Sequence, residues 1–204
     1  MNVEVLNQKQ YTVSRWSGGD TTELYIYPKD GSYTDRSFSF RISTATVDKD
    51  TSVFTKLPGI QRKLMVLNGS VRLDHNGIKG KCLQPGDQEA FLGEWDTKSE
   101  GIVRDFNLMT TASAEGILTL INLPSGEKEN IALCRQDPGK YFLLLYLSGP
   151  GQITLSDGYT KYLIKEKETL AVEVGKEDGV VGVIIENTSE TTVQIIKTEV
   201  SVTG

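Results

Sequence analysis

The segment Val66–Gly77 reads Val-Leu-Asn-Gly-Ser-Val-Arg-Leu-Asp-His-Asn-Gly, and about 80 residues later Tyr146–Gly158 reads Tyr-Leu-Ser-Gly-Pro-Gly-Gln-Ile-Thr-Leu-Ser-Asp-Gly. Each segment combines an apolar strand, a glycine break, a second strand and an Asn-Gly or Asp-Gly turn, in which positive φ suits Gly and Asn. The repetition predicts two copies of one β-unit. We expect the division in the small, polar stretch near residues 111–116, which gives an N-terminal unit over residues 1–112 and a C-terminal unit over residues 113–204.

The rest of the chain favours strands as well. Short alternating or β-branched runs bounded by Gly, Pro, Asn and Asp recur, whereas an apolar period of 3.6 residues is nearly absent. The predicted strands cover residues 22–27, 37–46, 62–67, 71–74, 102–109, 116–123, 141–147, 152–155, 170–174, 180–187 and 192–200. So many strands in a short chain predict an all-β fold of packed sheets or barrels with protected edges.

Composition excludes several classes of partner. The chain has 204 residues, with 38% hydrophobic and 24% charged residues and a net charge of −5. Binding to a phosphate backbone needs a concentrated basic surface, so we expect no nucleic-acid partner. The sequence has neither a leader pattern nor a run of 18 apolar residues. We therefore expect a cytoplasmic protein without a membrane partner.

Residue types limit the chemistry. The only histidine, His75, lies in a predicted turn and is expected to be a solvated loop residue. A histidine-based metal centre is therefore excluded, and no cofactor is expected. The stretch Ser17–Asp20 is glycine-rich but lacks the Gly-Lys-Ser/Thr of a phosphate loop. Cys82 and Cys134 have no neighbouring Cys or His at metal-ligand spacing, and both are expected to be buried thiols.

Two predicted strands carry polar residues among apolar ones. Side chains of a strand alternate between its two faces. Arg41 therefore shares a face of its strand with the neighbouring serines, and Asp105 shares a face of its strand with Asn107. Arg104 falls on the other face of its strand, beside Phe106. A solvated outer face accounts for such alternation. In the alternative interpretation, these groups converge in a barrel mouth, where guanidinium groups hold a carboxylate.

The stretch Trp16–Glu23 also has two interpretations. It reads Trp-Ser-Gly-Gly-Asp-Thr-Thr-Glu. A tight Gly-Gly turn with a packed indole is one account of it. In the other, a loop brings backbone N–H groups and the Glu23 carboxylate to the rim of a pocket.

The repeated segment resembles the hairpin core of the cupin superfamily, and two such units in tandem would form a bicupin. A series of segments then resembles the HutD/Ves family in its order along the chain. These segments are Trp16–Glu23, Phe40–Val47, Phe54–Arg62, Val66–Gly69 and Arg104–Met109. The Arg-Ile-Ser of the second segment and the Arg-Asp-Phe-Asn of the last are the specific ones. Ser17, Phe40 and Leu57 depart from the family pattern, so the chain resembles a divergent member.

The resemblance implies a bicupin without a metal centre that is associated with histidine degradation. Carried over by motif, the candidate ligand-binding residues are Glu23, Arg41, Arg62, Arg104, Asp105 and Asn107. We expect a small acidic ligand such as formylglutamate, formiminoglutamate or urocanate. The protein is expected to bind this ligand and so limit flux, and not to convert it to a product. The alternative is a metal-independent enzyme in which Glu23 or Asp105 is the general base. A third interpretation is a β-structured interaction module that acts through its strand edges or subunit faces, for example as a homodimer.

Overall fold

A computed structural model describes residues 1–134, 139–175, 178 and 180–203. These residues form 19 strands in four sheets, which confirms the predicted all-β fold. The chain divides into two compact units. We call Tyr11–Ala114 the N-terminal unit, and Met1–Gln10 together with Glu115–Gly204 the C-terminal unit. Within the described ranges, no helix has the length and apolar character needed to cross a membrane.

The strands are given in chain order. The first eleven are β1 (Asn2–Leu6), β2 (Thr12–Trp16), β3 (Gly19–Tyr27), β4 (Phe40–Val47), β5 (Thr51–Val53), β6 (Gln61–Gly69), β7 (Val71–His75), β8 (Ile78–Leu83), β9 (Gln88–Leu92), β10 (Thr97–Glu100) and β11 (Val103–Thr110). The others are β12 (Ala114–Leu123), β13 (Lys128–Cys134), β14 (Lys140–Leu147), β15 (Gln152–Ser156), β16 (Lys161–Lys165), β17 (Thr169–Val174), β18 (Val180–Asn187) and β19 (Val193–Val202).

Two sheets form the N-terminal unit. One has the strand order β2-β3-β4-β11-β6-β9, and the other has the order β5-β10-β7-β8. Apolar side chains from both sheets, such as Leu64 and Val66 of β6 and Leu73 of β7, form one buried cluster. Burial of each such side chain stabilises the fold by about 1.5–3 kcal/mol. Alternate side chains of β6 and β11 thus point from one face of the large sheet into this core.

Glycines permit the tight connections that the repeat predicts. Gly69, with φ of 78°, ends β6, and a Cβ atom there would lie 2.3 Å from the carbonyl oxygen of Ile102. The β7–β8 hairpin turns at Asn76 and Gly77, with φ of 55° and 81°. Both residues occupy the left-handed region, as the Asn-Gly pattern predicts.

The C-terminal unit repeats this architecture. Its sheets have the strand orders β1-β17-β14-β19-β12 and β13-β18-β15-β16. Leu143 and Leu145 of β14, Ile195 of β19 and Val183 of β18 belong to its buried core. The predicted division differs at the start of the chain, because β1 pairs with β17 and so places the first ten residues in this unit. Backbone pairing with β17 governs this placement, and the repeat pattern gives no signal of it.

Candidate ligand-binding site

Four neighbouring strands of the large N-terminal sheet carry polar side chains on the face toward the core. The strand order β3-β4-β11 places Glu23 opposite Ser43, and Ser43 opposite Asn107. On the next strand, β6, Arg62 lies opposite Met109, two residues beyond Asn107. Because facing residues of paired strands share one side of a sheet, these groups form a polar row across it. The row lies beside the apolar core instead of on a solvated face.

Arg41 of β4 is held by a carboxylate. Its Nε donates a 2.6 Å hydrogen bond to Oε2 of Glu23, and its Nη1 donates to the Ser43 hydroxyl at 3.1 Å. The guanidinium carbon lies 4.5 Å from the centre of the Tyr33 ring. Arg41 is only 4% exposed, so Glu23 supplies the charge that compensates this buried cation.

Arg62 of β6 has a different environment. Its Nη2 donates to Oδ1 of Asn107 at 3.2 Å, and Nδ2 of Asn107 donates to Oδ1 of Asp105 at 2.5 Å. The guanidinium packs against Phe54 and Phe91, with its carbon 4.7 and 5.2 Å from the two ring centres. The amide of Asn107 thus connects the arginine to the carboxyl group of Asp105.

Burial shifts the ionisation of this second arginine and of the acid. Desolvation lowers the pKa of Arg62 to about 10, although Asp105 acts to raise it. Burial raises the pKa of the Asp105 carboxyl to about 7, while Arg62 and the hydrogen bond from Asn107 act to lower it. At neutral pH Arg62 is therefore cationic, whereas a substantial fraction of Asp105 is protonated. Arg62 is consequently less fully compensated than Arg41.

These residues line a cavity of about 170 Å³ in the N-terminal unit. Arg41, Arg62, Asp105 and Asn107 all belong to its wall, together with Ser14, Trp16, Thr21, Tyr33, Ser43, Ala45, Val47, Val53, Phe54, Thr55 and Met109. Two buried N–H donors of wall residues, Nε of Arg62 and Nε1 of Trp16, have no hydrogen-bond partner. Buried donors are normally paired, so each of these two has a hydrogen bond left to make.

The structure brings most of the predicted residues together and separates one. Glu23 joins the cluster through Arg41. Arg104 is not among the residues of the cavity wall. It precedes Asp105 on β11 and therefore points to the opposite face, in agreement with the predicted alternation.

Sequence reasoning did not single out two aromatic wall residues. Tyr33 lies in the connection between β3 and β4, and Phe54 follows β5 directly. Neither connection has a periodic pattern that would assign its side chains to a face. Trp16 lies on the wall at the end of β2. Glu23, which the pocket-rim interpretation of this segment places at the rim, is not among the wall residues and contacts Arg41 instead.

His75 is not the solvated residue that its turn predicts. It ends β7, and its side chain is 11% exposed. Nδ1 lies 2.9 Å from the Thr97 hydroxyl, Nε2 lies 3.4 Å from Oε1 of Glu89, and the ring packs against Phe91 and Trp95. The prediction was wrong because β7 continues through His75 and the turn begins only at Asn76.

The prediction for Cys82 was also wrong, because this thiol is exposed. It lies on β8, where most side chains face away from the core. The side chain of Cys134 lies outside the part of the chain that the structure describes.

The donor set of the cavity does not suit a metal ion. Two guanidinium groups face it, and they repel a cation. Two carboxyl groups lie at the site. Glu23 forms an ion pair with Arg41, and Asp105, with a pKa of about 7, is partly protonated at neutral pH. Within the described residues, no three His, Cys, Asp or Glu side chains come close enough to hold a metal. The cavity instead suits an anion.

Comparisons with known proteins agree with this fold. The family model described as HutD matches residues 8–191. A conserved protein of unknown function from Pseudomonas aeruginosa PAO1 is 20% identical, with a TM-score of 0.82 over 98% of this chain and 99% of its own. HutD from Pseudomonas fluorescens SBW25 (formate condition) is 19% identical, with a TM-score of 0.75 and full coverage of both chains.

A more distant likeness agrees with a cupin-like fold. The bacterial pirin YhhW from Escherichia coli, described in complex with nickel(II), is 10% identical, with a TM-score of 0.66 over 99% of each chain. No curated protein matches the chain.

Proposed function

This chain belongs to the HutD family, and from that premise we propose that its N-terminal unit binds a small metabolite bearing a carboxylate group. The observation that carries the proposal is the pair of unpartnered buried donors, Nε of Arg62 and Nε1 of Trp16, among the wall residues of the cavity. A carboxylate offers acceptor oxygens to such donors and neutralises the guanidinium charge. A water molecule also accepts hydrogen bonds, but it brings no charge to neutralise the guanidinium group.

The dimensions of the cavity support a small ligand. Its volume of about 170 Å³ is below the roughly 300–1,000 Å³ of pockets that hold drug-sized molecules. Trp16, Tyr33 and Phe54 supply flat apolar surface, while the amide of Asn107 offers both a donor and an acceptor. A planar acid, or an acid with an amide-like group, matches this combination. We propose an intermediate of histidine degradation, namely urocanate, formylglutamate or formiminoglutamate, whose binding limits flux through that route.

A thermal-shift panel with these three acids, histidine, glutamate and unrelated carboxylates tests the proposal. A ligand at 100 times its dissociation constant stabilises the folded state by about 2.7 kcal/mol, which raises the melting temperature by several degrees. We expect one pathway acid to give this rise. Arg62→Met should abolish it, whereas Arg72→Met, at an exposed arginine on β7, should retain it. No rise with any of the acids, or a rise that persists in Arg62→Met, would overturn the proposal.

A second candidate function rests on Asp105. Its carboxyl lies on the cavity wall with a pKa raised to about 7 by burial, which suits a general base or acid near neutral pH. Under this alternative the protein turns over a small polar metabolite without a metal. Incubation of each acid with the protein, followed by NMR, distinguishes the two functions. Product formation that is lost in Asp105→Asn, with binding retained, would favour the enzyme.

A further inference from the structure

The C-terminal unit contains a counterpart of the cavity wall, and its backbone hydrogen bonds define the correspondence. The N–H of Val66 donates to the carbonyl of Asp87, and the N–H of Gly86 donates to the carbonyl of Val66. In the C-terminal unit, the N–H of Leu147 likewise donates to the carbonyl of Glu168, and the N–H of Lys167 donates to the carbonyl of Leu147. Val66 of β6 therefore corresponds to Leu147 of β14.

The strand registers extend this correspondence to the cavity wall. Val66 faces Asp105 on β11, and Leu147 faces Ile195 on β19. Asn107 lies two residues after Asp105, and Lys197 lies two residues after Ile195, so Asn107 corresponds to Lys197. By the same count, Met109 corresponds to Glu199. Asn107 and Met109 both line the cavity of the N-terminal unit. Lys197 and Glu199 consequently occupy the equivalent place in the other unit.

The side chains at this place form a polar cluster on an apolar sheet face. Nζ of Lys197 lies 2.9 Å from Oε2 of Glu199, and the Tyr141 hydroxyl donates to Oε1 of Glu199 at 2.5 Å. Lys197 and Glu199 face Leu145 and Leu143 of β14, which are fully buried. The two charged side chains are 16% and 20% exposed, so the cluster reaches solvent from the edge of the core.

Glu199 is held in its ionised form. Burial acts to raise the pKa of its carboxyl, but the hydrogen bonds from Tyr141 and Lys197 together lower it below the ordinary value. An ion pair in such a position contributes little net stability, because desolvation opposes the attraction of the charges. The pair therefore places one cation and one anion side by side where the apolar core reaches solvent.

An apolar rim borders the cluster on β12. Ile121 and Leu123 pack against the core of this unit, so alternation places Thr119 and Ile117 on the same face of the strand. Ile117 is 51% exposed. The rim thus leaves an isoleucine side chain open to solvent on the strand next to Lys197 and Glu199.

We propose that the C-terminal unit has a ligand site of its own, in which Lys197 and Glu199 bind the carboxylate and the ammonium of a small amino acid with an apolar side chain. Glu199 would repel a simple acid, and Lys197 would repel a simple amine. A zwitterion satisfies both groups, and the Ile117 rim accepts its apolar side chain. This site is independent of the cavity in the N-terminal unit.

NMR spectra of the full chain with labelled Ile, Leu and Val methyl groups test the site, with L-leucine as the probe. The experiment uses the Arg62→Met background, in which the N-terminal cavity lacks its main cation. We expect saturable shifts of the Ile117 and Leu143 methyls, with a dissociation constant in the millimolar range or tighter. The analogues 4-methylpentanoate and 3-methylbutylamine, which each lack one charge of leucine, should bind at least about tenfold more weakly.

Three variants decide the outcome. Lys197→Met should abolish the shifts, and Glu199→Gln should remove the preference for leucine over 4-methylpentanoate. Lys140→Met is the matched control: its ion pair with Glu173 lies on the other face of the same sheet, and leucine binding should persist. Absence of saturable shifts in the Arg62→Met background, or unchanged shifts in Glu199→Gln, would overturn the proposal even where Lys197→Met fails to fold.

Discussion

Arg62 and Asp105 lie on neighbouring strands of one cavity wall, and the Asn107 amide joins them through hydrogen bonds of 3.2 and 2.5 Å. Each side chain favours the ionised form of the other, yet burial acts against both charges and is the larger effect. The wall therefore combines a cation that stays charged at neutral pH with an acid that titrates near pH 7. This combination makes the site sensitive to pH.

The stability of the folded chain should depend on Asp105. Its pKa is about 7 in the folded state and near 3.8 when the chain is unfolded, so between these values the folded state binds more protons. The free energy of unfolding should consequently decrease as pH rises from about 4 to 7. Asp105→Asn keeps the shape of the side chain and removes its titration. Chemical denaturation at pH 5 and pH 8 should show a smaller change for this variant than for the wild type, and equal changes would contradict the assignment.

The same carboxyl should control the affinity for carboxylate ligands. A bound anion beside Arg62 favours the protonated form of Asp105, so binding takes up a proton above pH 7. Affinity should then decrease up to about tenfold for each pH unit above 7. Calorimetry with the acid identified by the thermal-shift panel measures this at pH 6, 7 and 8, and Asp105→Asn should bind with little pH dependence. Affinity that rises with pH in the wild type would exclude proton uptake by Asp105.

The Glu23–Arg41 pair should be mainly structural. Glu23→Gln leaves the nearly buried Arg41 cation without its carboxylate, and we expect a loss of about 1–3 kcal/mol in the free energy of unfolding. The double variant Glu23→Gln/Arg41→Met removes the uncompensated charge and should recover part of that loss. Urea denaturation of the wild type, both single variants and the double variant gives the coupling energy. A coupling of zero would mean that the 2.6 Å contact contributes nothing to stability.

Arg104 should not contribute to ligand binding. It follows Val103 on β11 and faces away from the cavity that Asp105 and Asn107 line. Arg104→Gln should leave carboxylate affinity within about twofold, whereas Arg62→Met removes a charge-assisted contact of about 1.5–3 kcal/mol. Calorimetry on the two variants makes the comparison directly. A large effect of Arg104→Gln alone would place the ligand on the other face of the strand.

Much of the fold could be predicted because its central strands have strong apolar patterns. Each predicted strand corresponds to one in the structure, and alternation assigned Arg41, Asp105 and Asn107 to shared faces. The short, polar strands β5, β8 and β10 were not predicted, because their stability comes from pairing with neighbours and not from their own burial. Tyr33 and Phe54 reach the cavity from irregular connections, whose paths depend on tertiary contacts that no local pattern encodes.

Gly69 provides the last prediction, because it connects the strand of Arg62 to the opposite sheet. Its φ of 78° is strained for other residues, and an added Cβ would lie 2.3 Å from the carbonyl oxygen of Ile102. Gly77 has a similar φ of 81° but no atom within 4 Å of such a Cβ, so Gly77→Ala measures the backbone strain alone. We expect that strain to cost about 1 kcal/mol, and Gly69→Ala to cost clearly more. Equal losses of stability in urea denaturation would mean that the β6–β7 connection relaxes without disturbing the cavity wall. A larger loss in Gly69→Ala, accompanied by weaker carboxylate binding, would connect this turn to the position of Arg62.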